Sequence, residues 1–130
     1  MTAVRLTALV LAAVFVVACR SNAPLVVSNI QLGRSLNTDN TIGDPRTVFR
    51  PTDTIYVSVQ TTATGSGTLG VRWEYEGRTV SEPSKPVSYQ GAAATEFHIQ
   101  NSGGFPPGNY AVEVFLDGVS VGRRTFTVER

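Results

Sequence analysis

Apolar and polar residues alternate along most of the chain after residue 24, and a period of two marks half-buried strands. The alternation is cleanest over Thr54 to Thr61, where Ile55, Val57 and Val59 share one face and Tyr56, Ser58 and Gln60 the other. Leu69, Val71, Trp73 and Tyr75 repeat it against Gly70, Arg72, Glu74 and Glu76. Thr95 to Gln100 reads as a strand with Phe97 and Ile99 inward and His98 outward, and Tyr110, Val112, Val114 and Leu116 share a face of another. Leu25 to Leu32 reads as a first strand, but apolar residues fall on both parities and leave its facing open. Thr47 to Phe49, Arg78 to Val80 and Val87 to Gln90 are shorter candidates. Pro83 and Pro86 mark the last of these as an edge, because proline donates no ladder hydrogen bond. Apolar residues nowhere recur at helical spacing for three turns in this stretch.

The connections carry turn chemistry. Gly33 to Arg46, rich in Asn, Thr, Asp and Gly, is the longest loop; Pro51-Thr52-Asp53 is a turn; and Ala63 to Thr68 (ATGSGT) reads as a flexible link. Asn101 to Asn109 (NSGGFPPGN) forms a corner. Asp117-Gly118 predicts a two-residue type I′ hairpin, with Val119 and Val121 returning on the face of Leu116 and Val114. Beyond Gly122 the apolar parity flips to Phe126 and Val128. A β-bulge at Gly122 would supply the extra residue and set Phe126 opposite Tyr110. The same flip turns Arg124 inward, which fits only beside an open edge. Seven to nine short antiparallel strands, in a domain spanning residues 25–130, predict an all-β sandwich.

Before this domain, Leu6 to Val17 is apolar apart from Thr7, follows Arg5, and is too short to span a bilayer. Val16-Val17-Ala18-Cys19 resembles the lipobox of bacterial lipoproteins: two aliphatic residues, a small residue, then cysteine. The resemblance implies that residues 1–18 are a cleaved signal peptide and that the Cys19 thiol takes a lipid and anchors the chain in a membrane. Residues 19–24 then form the lipidated cysteine and its tether. Arg20 and Ser21 follow Cys19, with no Asp to retain the protein at the inner membrane. A lipid-anchored place in the cell envelope is expected, at the outer membrane if the host has two.

Composition narrows the function classes. The chain has 11 Lys and Arg against 10 Asp and Glu, and its longest basic run is Arg123-Arg124. A nucleic-acid binder normally carries a basic stripe, so none is expected as partner. The single cysteine excludes an internal disulfide, and one Cys with one His cannot make a zinc site of the usual kind. His98 has no partners in sequence that would make a catalytic triad. Asn37, Asp39, Asn40 and Asp44 gather oxygen donors in one loop, but they lack the distal Glu of a calcium loop and read first as ordinary loop chemistry. Tyr56 and Phe115, on outward parities, are the contact candidates.

Two features make the domain similar to immunoglobulin-like and fibronectin-type-III-like domains. Trp73 lies mid-strand, where such sandwiches bury a tryptophan, and Pro107-Gly108-Asn109-Tyr110 ahead of alternating valines resembles their tyrosine corner. The resemblance implies that Trp73 and Tyr110 are core residues and that the Tyr110 hydroxyl bonds nearby backbone. The expected protein is a membrane-anchored, non-catalytic lipoprotein without cofactor or metal. Its immunoglobulin-like domain would bind an envelope protein or glycan, or support envelope structure. A peptidase inhibitor acting through loops such as Asn101 to Asn109 is the alternative.

Overall fold

The computed structural model describes residues 24–130, so Cys19 and the apolar run before it lie outside the described residues. Nine strands follow in order: β1 (Val27–Gly33), β2 (Val48–Phe49), β3 (Ile55–Thr61), β4 (Thr64–Tyr75), β5 (Arg78–Ser81), β6 (Ser84–Gln90), β7 (Ala93–Ile99), β8 (Gly108–Leu116) and β9 (Val119–Val128). They form an immunoglobulin-like sandwich. One sheet has the order β1-β3-β7; the other runs β2-β9-β8-β4-β5, with β6 also on β4. All pairings between the nine strands are antiparallel except β2 with β9, which is parallel, as is the isolated bridge of Pro24 to Ser66, whereas alternation alone suggested antiparallel strands throughout.

The inward residues of the two sheets make one core. Ile55, Val57, Val59 and Phe97 face Leu69, Val71, Trp73, Val112, Val114 and Phe126, all buried. Trp73 is fully buried; its ring meets Phe126 edge-on at 6.1 Å, and its Nε1 has no hydrogen-bond partner among the described residues. The parity conflict at the start of the chain resolves through a register shift between Val27 and Asn29. It lets Val27 pack on the core from one parity and Ile30 and Leu32 from the other.

The Asp117-Gly118 turn has φ of 50° and 81°, the two positive values of a type I′ turn. Asp117 also ties the hairpin to β4: its N–H donates to the Thr68 carbonyl at 2.9 Å, and its carboxylate accepts the Thr68 N–H at 2.8 Å. The register shift in β9 places Phe126 opposite Tyr110 and Gly122 opposite Val114, with Val121 the extra residue. Val119 and Val121 are not returned to the core as the alternation suggested. Both are exposed; at the bulge it is Gly122, lying under Ile30 of β1, that stands opposite Val114, and Val121 is left out of the ladder. Arg124 does lie at an open edge: its Nε crosses to donate to the Ile30 carbonyl of β1 at 3.1 Å.

Ala63 to Thr68 is not a flexible link. Thr64 to Gly70 pairs residue for residue with Gln90 to Ser84, so β4 and β6 both begin earlier than side-chain alternation indicates. Ladder hydrogen bonds to a neighbouring strand, rather than an apolar stripe, fix this segment. The opposite open side of the sandwich is closed by β6 reaching β7, where the Tyr89 hydroxyl and Thr95 Oγ1 lie 2.6 Å apart and Lys85 sits 4.8 Å over the Phe97 ring.

Candidate functional site

Tyr110 opens β8 from a tight entry. Gly108 has φ of 146°, and a Cβ there would stand 2.5 Å from Glu76 Oε1 and 3.0 Å from the Tyr75 ring, so only glycine fits. The Tyr110 ring stacks on Phe126 at 5.3 Å, meets Tyr75 at 4.7 Å and Phe105 edge-on at 6.1 Å, and its hydroxyl donates to the Pro106 carbonyl at 2.7 Å. Burial above all, then the nearby Tyr75 and Glu76, pushes this phenol up to about 12. Tyr75 donates in parallel to the Pro107 carbonyl at 3.1 Å. Two tyrosines therefore fasten the corner that carries the 101–109 loop. The loop is further held by Phe105, buried beneath it, whose N–H bonds the Pro51 carbonyl at 2.8 Å.

Tyr56 and Phe115 lie on the outer faces of different sheets and do not form one site. Tyr56 is half-buried against His98, with ring centroids 5.4 Å apart. His98 Nδ1 contacts Glu96 Oε2 at 3.0 Å, and Lys85 Nζ contacts the other Glu96 oxygen at 3.5 Å. Ser58, opposite Glu96 on the ladder, is buried and donates to the Asn40 carbonyl at 2.7 Å. On the larger sheet the Arg72 guanidinium covers Phe115, 4.9 Å from the ring centre. A charge ladder runs across three strands here, with Arg72 opposite Glu113 and Glu113 opposite Arg123. Arg72 also holds Glu82 at 2.9 Å, which raises its pKa, and Arg123 pairs with Glu74. Both surfaces are polar networks with an aromatic ring in them, and on the larger sheet the Ser120 hydroxyl also donates to Glu113 at 2.6 Å.

The Asn- and Asp-rich loop does not converge on a cation position. Asp39 accepts the Thr41 hydroxyl at 2.6 Å and the Thr41 N–H at 3.1 Å, and these bonds lower its pKa. Asn37 donates to Thr41 Oγ1 at 3.0 Å, and Asn40, at φ 66°, turns over the smaller sheet toward Ser58 and Ala94. Asp44 points elsewhere. One of its oxygens accepts Arg34 Nε at 2.7 Å and Arg46 Nε at 3.2 Å, and these two arginines, Arg34 first, hold its carboxyl below the usual range. Among the described residues no three His, Cys, Asp or Glu side chains gather where a metal could bind. Local spacing gave no sign of the Arg34–Asp44–Arg46 grouping, since the loop's return path alone creates it.

No family model and no curated protein matches the sequence. The structure is similar to that of an immunoglobulin-like protein from Pseudomonas aeruginosa, with a TM-score of 0.58 and 13% identity over 84% of this chain and 99% of that one. A β-D-glucoside glucohydrolase from Trichoderma reesei matches 81% of this chain with 19% of its own, at a TM-score of 0.47 and 12% identity. The likeness to the first shows an immunoglobulin-like fold, which many unrelated functions share.

Proposed function

We propose that the chain is a membrane-anchored, non-catalytic lipoprotein of the cell envelope whose immunoglobulin-like domain binds a protein or glycan. The observation that carries the proposal is the chain's sole cysteine, Cys19, closing an apolar run with the residues of a lipobox. Two or three acyl chains on one residue anchor a protein firmly, whereas one chain is marginal. The fold supports the reading through its geometry. Pro24 bridges to Ser66, at the end of the sandwich where β3 gives way to β4. Only Arg20 to Ala23 lie between Cys19 and Pro24, a reach of about 18 Å at full extension. That end would rest near the bilayer, and the 101–109 corner at the other end would face outward. In the larger-sheet network the Ser120 hydroxyl donates to Glu113 at 2.6 Å, but that carboxylate also lies 3.8 Å from Arg72 and 3.7 Å from Arg123, and such pairing makes it a poor base, so the domain is read as a binder rather than an enzyme.

One observation favours the peptidase-inhibitor reading. The 101–109 loop is fastened at Phe105, Pro106 and Pro107, and a pre-organised loop loses little entropy on entering a cleft. Capture of partners from detergent-solubilised membranes with the lipidated protein separates the two. A recovered peptidase blocked by the protein supports the inhibitor; an envelope structural protein or glycan supports the module. Release of the protein from membranes by salt alone would overturn the anchored reading.

A further inference from the structure

At the end of the sandwich opposite Pro24, a cavity of about 230 Å³ is lined by Arg34, Arg46, Arg50 and Arg130, with Asp53 and Glu129. These are four of the nine basic residues between positions 24 and 130, drawn from four separated places in the sequence. Their arrangement is specific. Asp44 grips Arg34 and Arg46 through Nε, on a single oxygen, and so sets two guanidinium groups side by side with their terminal amino groups unused among the described residues. The Arg50 side chain likewise makes no hydrogen bond among the described residues, while its backbone N–H donates to the Asp53 carboxylate at 2.8 Å, within the 50–53 turn. A guanidinium presents its donors in a planar fork that matches the oxygens of a tetrahedral oxyanion.

We infer that this cavity is a binding site for a phosphate group, either as the free anion or as the terminal monoester of a larger envelope molecule. Asp44 is its organising residue, because it holds the Arg34–Arg46 pair together by their inner nitrogens and leaves the outer ones for the ligand. Arg50 supplies a third fork from the other end of β2. The site rests on the reading of the domain as a binding module and stands independently of the anchor. Its place at the end away from Pro24 would turn it outward from the membrane.

The test is titration of the full chain in neutral detergent micelles, at constant ionic strength, with inorganic phosphate and separately with glycerol 1-phosphate. Calorimetry and the arginine Nε–H resonances are the readouts. Saturable binding is expected with a Kd on the order of 1 mM or tighter, with Arg34, Arg46 and Arg50 resonances moving together. Arg46→Gln is expected to weaken it roughly tenfold, by loss of a charge-assisted bond, and Arg123→Gln, on the charge ladder of the larger sheet, to leave it unchanged. Binding of both probes identifies a terminal phosphate as the feature read, and binding of inorganic phosphate alone identifies the free anion. Shifts that never saturate, that chloride reproduces, or that Arg123→Gln weakens as much as Arg46→Gln would overturn the site. Since micelles replace the membrane, none of these outcomes depends on lipid at Cys19, whose failure would show only in lipid labelling.

Discussion

Tyr110 offers the sharpest quantitative check on this packing, because its ring and its hydroxyl do separable jobs. Tyr110→Phe keeps the stack on Phe126 and the contacts with Tyr75 and Phe105, and removes only the 2.7 Å bond to the Pro106 carbonyl. Pro106 is exposed, so its carbonyl can turn to water, and the expected loss is the net worth of one hydrogen bond, about 0.5–1.5 kcal/mol. Tyr110→Ala removes the ring as well. Aromatic-to-alanine changes in cores cost about 3–5 kcal/mol, and a ring with three aromatic neighbours belongs at the upper end. Urea midpoints at neutral pH, with the slope checked for constancy, give both numbers. The comparison pair is Tyr56→Phe and Tyr56→Ala: Tyr56 is half-buried and touches only His98 among aromatic groups, so its alanine variant is expected to lose about 1 kcal/mol or less. A neutral Tyr110→Phe with a costly Tyr110→Ala would leave the ring in the core and refute the fastening of the corner by the hydroxyl. Two neutral results would refute the packing itself.

Three further outcomes are expected. Stability should fall as pH rises from about 10, where the unfolded tyrosine ionises, to about 12, where folded Tyr110 does. In that window only the folded chain keeps the proton, so the slope is a loss of about 1.4 kcal/mol per pH unit, and Tyr110→Phe should flatten it in urea titrations at pH 9 to 11.5. Cys19→Ser should abolish incorporation of labelled fatty acid and leave unprocessed precursor; normal lipidation of that variant would remove Cys19 from the anchor. Gly108→Ala forces a methyl against Glu76 and Tyr75 at a positive φ and is expected to cost about 1–3 kcal/mol by thermal or urea unfolding, whereas a neutral result would mean that the corner can relax.

Much of the sandwich was legible because its signals were local. Asp117-Gly118 announces its turn, and the parity flip after Gly122 announces a bulge that sets Phe126 opposite Tyr110. Trp73 and Tyr110 are buried where their strand alternation puts them. Legibility failed where the partner strand decides. Thr64 to Gly70 has almost no apolar stripe, and its strand exists because β6 lies alongside. Val119 and Val121 stay exposed although their spacing suggested a return to the core, since the bulge that puts Gly122 opposite Val114 leaves Val121 out of the ladder. The arginine cavity was invisible for the same reason, its members being brought together by the return of the 34–46 loop and by the pairing of β2 with β9.

The way β4 is shared between partners also sets the order in which the chain can assemble. Its contacts with β8 join Leu69 to Leu116 and Tyr75 to Tyr110, across large loops whose closure costs entropy before any bond is gained. The β8–β9 hairpin needs no such closure, with Leu116 and Val119 meeting across two residues, and hairpins of this kind form in about 1–10 μs. The hairpin is therefore the natural first piece. Asp117, bonded on both sides to Thr68, is the point at which it docks on β4 and brings the distant strands together. Domains dominated by such distant pairings fold in milliseconds to seconds, and in stopped-flow refolding an Asp117→Ala variant would show its loss mainly in the folding rate rather than in unfolding.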